Sequence, residues 1–188
     1  MRVYVIRHGE SVNNQKKLWT GWFDAPLSEK GENDAGKVRE ILNGLRFDKV
    51  YSSDLSRAKK TAEIALPNTE YEVTALIREM NVGALANTST ASLTDAQKAK
   101  IKESEYSAFG GESHEEFRCR IRKFLRMLEG SEKETVAVFC HAGCAKVMLS
   151  EVLGIPLPLG KIISNNCMVA IFDYVNNTWK LHSWINIE

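Results

Sequence analysis

The sequence predicts an α/β fold: a three-layer α/β/α sandwich around a mostly parallel six-stranded sheet that finishes in an antiparallel hairpin. Three observations carry this reading. Short β-rich runs alternate with longer helical patterns along the chain. Two of the runs, "VYVI" at 3–6 and "VAVF" at 136–139, are continuously apolar, as central strands covered on both faces are. The last two runs are joined by Asn176-Asn177, a pair suited to a tight hairpin.

Taken in order, strands are expected at 3–7, 49–52, 71–77, 135–140, 168–174 and 179–185. A helix over 28–42 starts at Ser28, a good N-cap, and stripes Ala35, Val38, Ile41 and Leu42 along one face. A second helix, 55–65, follows the helix-start signal "SSD". A weaker pattern over 91–105 carries lysines at 98, 100 and 102 and reads as a solvated face over the sheet edge. The stretch 112–129 is strongly amphipathic through Phe117, Ile121, Phe124, Leu125 and Leu128. The last helix, 142–153, stops at Gly154 with Pro156 just beyond.

With 188 residues, the chain can bury a core of one domain, 1–188, in which 84–111 reads as a short lid or insertion. The net charge of +1 gives no global field toward nucleic acid or an anionic membrane, so anion binding must come from a local cluster. No apolar run approaches a membrane span, and the N-terminus lacks a secretory pattern. The scattered cysteines 119, 140, 144 and 167 read as reduced thiols of a cytoplasmic protein. Cys140-His141-x-x-Cys144 lacks metal-ligand spacing, so neither metal nor cofactor is expected.

In open α/β sheets ligands bind beyond the carboxyl ends of the strands. Arg7-His8-Gly9 closes the first predicted strand, "SSDLSR" follows the second, Arg78-Glu79 the third and His141-Ala142-Gly143 the fourth. Two arginines, two histidines and a carboxylate thus fall on one rim. Each has a plain structural reading: a satisfied strand-end histidine, an Arg7–Glu10 pair, an Arg57 on a solvated helix face beside Lys59 and Lys60, an exposed Arg78–Glu79 pair.

Their order resembles the histidine phosphatase superfamily, which includes the cofactor-dependent phosphoglycerate mutases, and the resemblance spans the chain. "RHGES" with Asn14 resembles the nucleophile motif, and "TGWFDAPLSEKG" at 20–31 the segment after it. "SSDLSRAKKTA" at 52–62 is similar to the second arginine motif, "REMNVG" at 78–83 to the acid motif, and "CHAG" at 140–143 to the second histidine motif. "GGES" at 110–113 resembles a motif of the smaller phosphatases.

The resemblance implies a phosphoglycerate mutase-like fold and a metal-independent phosphomonoesterase. His8 would be the nucleophile, Arg7 and Arg57 the phosphate forks, His141 a donor to phosphoryl oxygens and Glu79 the general acid. Asn14, Thr20, Gly21 and Ala142 would help bind substrate, a small-molecule phosphate ester, in a monomer or homodimer. These types suit a dianion whose transfer depends on positioning and electrostatics. Gly9 is expected to let backbone approach the phosphate. Trp19, Trp22 and Phe23 are core or pocket wall, while His114 and His182 are expected in surface or hairpin packing. The mutase alternative is disfavoured by a short 83–111 segment that has lysines but no arginine. A non-catalytic phospho-ligand binder is the remaining alternative.

Overall fold

A computed structural model describes residues 1–102, 106–157 and 159–187. Six strands, β1 (Arg2–Arg7), β2 (Lys49–Ser53), β3 (Glu72–Thr74), β4 (Thr135–Cys140), β5 (Val169–Val175) and β6 (Thr178–Ile185), form one sheet in the order β3-β2-β4-β1-β5-β6. The first four run parallel, whereas β5 pairs antiparallel with β1 and β6 antiparallel with β5. The α-helices are α1 (Val12–Gln15), α2 (Glu29–Leu42), α3 (Ser56–Ala65), α4 (Asp95–Lys102), α5 (His114–Glu129) and α6 (Ala142–Leu153).

The three layers follow from alternation along the central strands. Tyr4 and Ile6 of β1, with Ala137 and Phe139 of β4, pack against Ala35, Val38 and Leu42 of α2 and Ala62 and Ala65 of α3. Val3 and Val5, with Val136 and Val138, face the other way, into Phe117, Ile121 and Phe124 of α5 and Met148 of α6. Both faces being covered, "VYVI" and "VAVF" have no polar side. The fold is the phosphoglycerate mutase-like α/β sandwich expected.

Local signals act as the sequence predicts at several ends. Ser28 accepts the Gly31 amide at the start of α2, and Ser113 forms a capping box with Glu116 at α5. Gly154 ends α6 with φ +66°. Asn176 and Asn177 both take positive φ, the requirement of a two-residue hairpin turn. The four cysteines are unpaired. Among the described residues no helix is long and apolar enough to cross a membrane.

Two predicted elements differ. The strand expected over 71–77 keeps three residues as β3, after which Ala75–Ile77 turns into a 3-10 helix. Thr74 Oγ1 accepts the Leu76 amide and starts that turn, which drives Ile77 into the core beside α5 rather than along the sheet edge. The helix expected over 91–105 is shorter: Thr90–Ser92 forms a 3-10 turn before α4, and 103–105 lie outside the described residues. Among the α-helices of the described residues, α1 went unpredicted: it is a single turn closed by a Ser11–Asn14 capping box.

The stems of the 84–111 excursion meet at two glycines. A Cβ on Gly83, which has φ +56°, would lie 2.0 Å from the Phe109 carbonyl oxygen, and one on Gly111 2.4 Å from the Asn81 oxygen. Reciprocal bonds, Glu112 N–H to Asn81 O at 2.9 Å and Asn81 N–H to Glu112 Oε2 at 2.8 Å, stitch the base shut.

Candidate active site

Strand order assembles the rim. β1 and β4 lie side by side in register, with Arg7 opposite Cys140, so the histidine following each strand lands beside the other. The His8 amide donates to Cys140 O at 3.0 Å, and the two imidazole centroids are 5.1 Å apart. β2 flanks β4 on the far side, which brings Ser53 Oγ to 2.9 Å from His141 Nε2. Arg57 comes from the first turn of α3, directly after β2.

The His8 tautomer follows from its partners. Nδ1 lies 2.6 Å from Gly9 O, and a carbonyl only accepts, so Nδ1 carries the proton. Nε2 then presents a lone pair, to which Arg57 Nε–H donates at 3.2 Å. Burial, then the positive charges of Arg57 and Arg7, holds the His8 pKa well below its ordinary 6.5. His141 is lowered in the same direction, by burial first and then by Arg57 and His8. Both rings are therefore neutral at pH 7.

Arg57 is 1% exposed, which removes the solvated-face reading. Its Nη1 and Nη2 donate to Phe23 O at 3.0 Å and Gly21 O at 2.8 Å. Burial pushes its pKa down to about 10, so it remains charged at neutral pH. All these acceptors are neutral, and the charge stays free to act on an anion. Arg7 donates to Ser164 O rather than pairing with Glu10, whose carboxylate accepts from Ser28 Oγ.

Glu79 reaches the same cavity from beyond β3. Its carboxylate accepts the amides of Met80 at 2.9 Å and Gly143 at 3.2 Å, the latter from the first turn of α6. Its backbone carbonyl accepts Trp22 Nε1–H at 2.7 Å and Arg120 Nη2–H at 3.2 Å. Arg120 also donates to Leu76 O and Arg78 O and forks onto Glu112 at 2.9 and 2.8 Å. Arg78 pairs with Asp54, not Glu79, and lies 4.7 Å over the Trp22 ring.

A cavity of about 670 Å³ opens at this rim, walled by Arg7, His8, Arg57 and Glu79. Asn14, Thr20 and Gly21 line it as well, with Asn14 Oδ1 committed to the Ser11 amide and Asn166 Nδ2. Ala142 is not on the wall; its neighbour Gly143 is. His141 is fully buried behind His8. Among the described residues, the buried side-chain nitrogens without a hydrogen-bond partner are Arg7 Nε, His141 Nδ1 and Trp19 Nε1. All three belong to residues lining this cavity or packed on His8, and unmet buried polar nitrogens concentrated at one place mark a ligand site.

Three expectations are corrected here. Gly9 serves packing against α2 rather than approach to phosphate: a Cβ there would sit 2.3 Å from Gly31 O. His114, expected in surface packing, lines the cavity and stacks on Tyr106. Of the three aromatics expected in core or wall, Trp19 is on the wall, Trp22 is half-buried off it, and Phe23, 44% exposed, is in neither. His182 does pack in the hairpin, 3.1 Å from Asp173. Sequence reasoning missed Lys17, Lys146 and the α5 face His114, Phe117, Arg118 as wall residues. That face has helical spacing i, i+3, i+4, a signal that was available.

The histidine phosphatase superfamily (branch 1) model matches residues 3–187, so the chain belongs to that superfamily. A probable phosphoglycerate mutase GpmB from Salmonella paratyphi A is 29% identical over 197 residues, covering 98% of this chain and 90% of that one. The crystal structure of the α-ribazole phosphatase from Shigella flexneri superposes with a TM-score of 0.88 at 24% identity, covering 100% of both chains. The phosphoserine phosphatase from Entamoeba histolytica, in complex with 3-phosphoglyceric acid, gives 0.85 at 24%, covering 100% of this chain and 98% of that one.

Proposed function

We propose that the chain is a phosphomonoesterase that works through a phosphohistidine on His8 without a metal, 1–188 acting as one catalytic unit. The observation that carries this reading is the neutral His8 ring, whose Nδ1–H is held by Gly9 O and whose Nε2 lone pair faces the cavity cations. Nε2 attacks phosphorus as the ester P–O bond breaks, and protonated Glu79 gives its proton to the leaving oxygen. Water then attacks phosphorus, Glu79 takes back a proton, and the P–N electron pair returns to Nε2. Arg7 and Arg57 fork onto the phosphoryl oxygens, and His141 Nδ1, if it carries the ring proton, donates one more bond. These groups supply the charge stabilisation that a metal supplies in other phosphatases.

The test is phosphate release from p-nitrophenyl phosphate by the purified chain with a chelator present. His8→Ala is expected to lose at least about a thousandfold in kcat with an unchanged far-UV spectrum. Interconversion of 3- and 2-phosphoglycerate without phosphate release would overturn the phosphatase reading in favour of a mutase. Wild-type turnover in His8→Ala would remove the nucleophile.

A further inference from the structure

Beyond the phosphate end, the cavity wall is built of rings. Trp19 meets Tyr106 edge-on at 5.7 Å and 65°, and Tyr106 stacks on His114 at 6.2 Å and 11°. The three come from different places, the loop after α1, the 3-10 turn Tyr106–Phe109 and the first residue of α5, and all line the one cavity. Trp19 is fixed by its backbone: its amide donates to Thr88 O at 2.9 Å, and its carbonyl accepts from Asn87 at 2.7 Å. Phe117 and Leu157 extend the apolar wall.

The cations on the cavity wall are differently engaged. Arg118 is forked onto Glu151 at 2.7 and 3.0 Å. Lys146 is half-buried on the same wall. Lys17 is solvent-exposed. A volume of about 670 Å³ is several times what a phosphoryl group alone needs.

Resting on the phosphatase reading above, we infer that the substrate class is a phosphate monoester whose leaving alcohol carries a planar aromatic group, packed against the joined wall of Trp19 and Tyr106. Offset-stacked or edge-on ring contacts give such a group more than its buried area alone.

The experiment compares primary alkyl esters of similar leaving-group basicity: ethyl, 2-cyclohexylethyl and 2-(2-naphthyl)ethyl phosphate. The expected kcat/KM for the naphthyl ester is about tenfold or more above the ethyl ester, and above the cyclohexyl ester too. Trp19→Ala and Tyr106→Leu should each cut the naphthyl-to-ethyl ratio severalfold. Equal values for the naphthyl and cyclohexyl esters, or a ratio unmoved in both variants, would overturn the inference. Calorimetric binding of the matching non-hydrolysable phosphonates separates it from the parent reading. Tighter binding of the naphthyl phosphonate by a chain that hydrolyses nothing sinks the phosphatase and keeps the aromatic site. Hydrolysis of all three esters at one rate, with equal phosphonate affinities, does the reverse.

Discussion

The two sides of the cavity are built differently. On one side His8, Arg57 and His141 are buried at 4%, 1% and 0% exposure, at or directly after the ends of β1, β2 and β4. On the other, Glu79 and the ring wall hang on a three-residue edge strand, 3-10 turns and the 84–111 excursion. On the proposed reading the first side holds what any phosphate ester presents. The second holds what distinguishes one ester from another, and loops on a rigid scaffold are where such choice resides. Within that second side Arg120 is the clamp: its N–H groups lock the Glu79-bearing segment to α5 in place of the missing strand.

Breaking the buried side should cost most. Arg57→Met removes a phosphate fork and leaves Gly21 O and Phe23 O without their donor. A loss of about 10³-fold in kcat/KM, equal for alkyl and nitrophenyl esters, is expected, with a lowered melting temperature. A variant within tenfold of wild type would mean that Arg57 is scaffold only.

Damage to the other side should depend on the leaving group. Glu79→Gln should cost about 10²-fold on alkyl phosphates and much less on p-nitrophenyl phosphate, whose phenolate leaves without a proton. Arg120→Met acts through Glu79 as a positioning residue, so it should reproduce that bias at a smaller scale, about tenfold. A uniform loss across leaving groups in Arg120→Met would reduce its part to holding the fold.

A stability effect of pH belongs to the buried side alone. The unfolded chain protonates its histidines near 6.5, while His8 and His141 in the folded chain stay neutral well below that. Protons are therefore taken up preferentially by the unfolded state as pH falls. Stability is full above pH 6.5 and drops below it, by about 1.4 kcal/mol per pH unit for each ring until the folded pKa is reached. Urea midpoints between pH 7 and 5 should show this decline, and His141→Asn should flatten it. A parent midpoint that does not move with pH would contradict the buried neutral rings.

The same contrast sets what could be read in the sequence. The apolar runs of β1 and β4, the Ser28 cap and the Asn176-Asn177 turn are local signals, and the elements they mark stand where expected. His8, Arg57 and His141 share a site because parallel strands bring their ends to one rim, which strand order alone supplies. The other side was less legible because tertiary contacts shape it. Thr74 starts its turn through its own side chain, and Gly83 and Gly111 matter only because two stems cross there. Tyr106 meets Trp19 across a distance in sequence that no periodicity spans, and stacks in turn on His114. The role of Gly9 was misread for the same reason: its partner, Gly31, lies on another element.

The central claim is that His8 Nε2 carries the phosphoryl group. Rapid mixing of the chain with a phosphate monoester, an alkaline quench and peptide mass spectrometry tests it directly. The account predicts an acid-labile, base-stable phosphate on His8, formed within one turnover and missing in His8→Ala. Turnover with no phosphoenzyme at any time, or a phosphate on another residue, would contradict it.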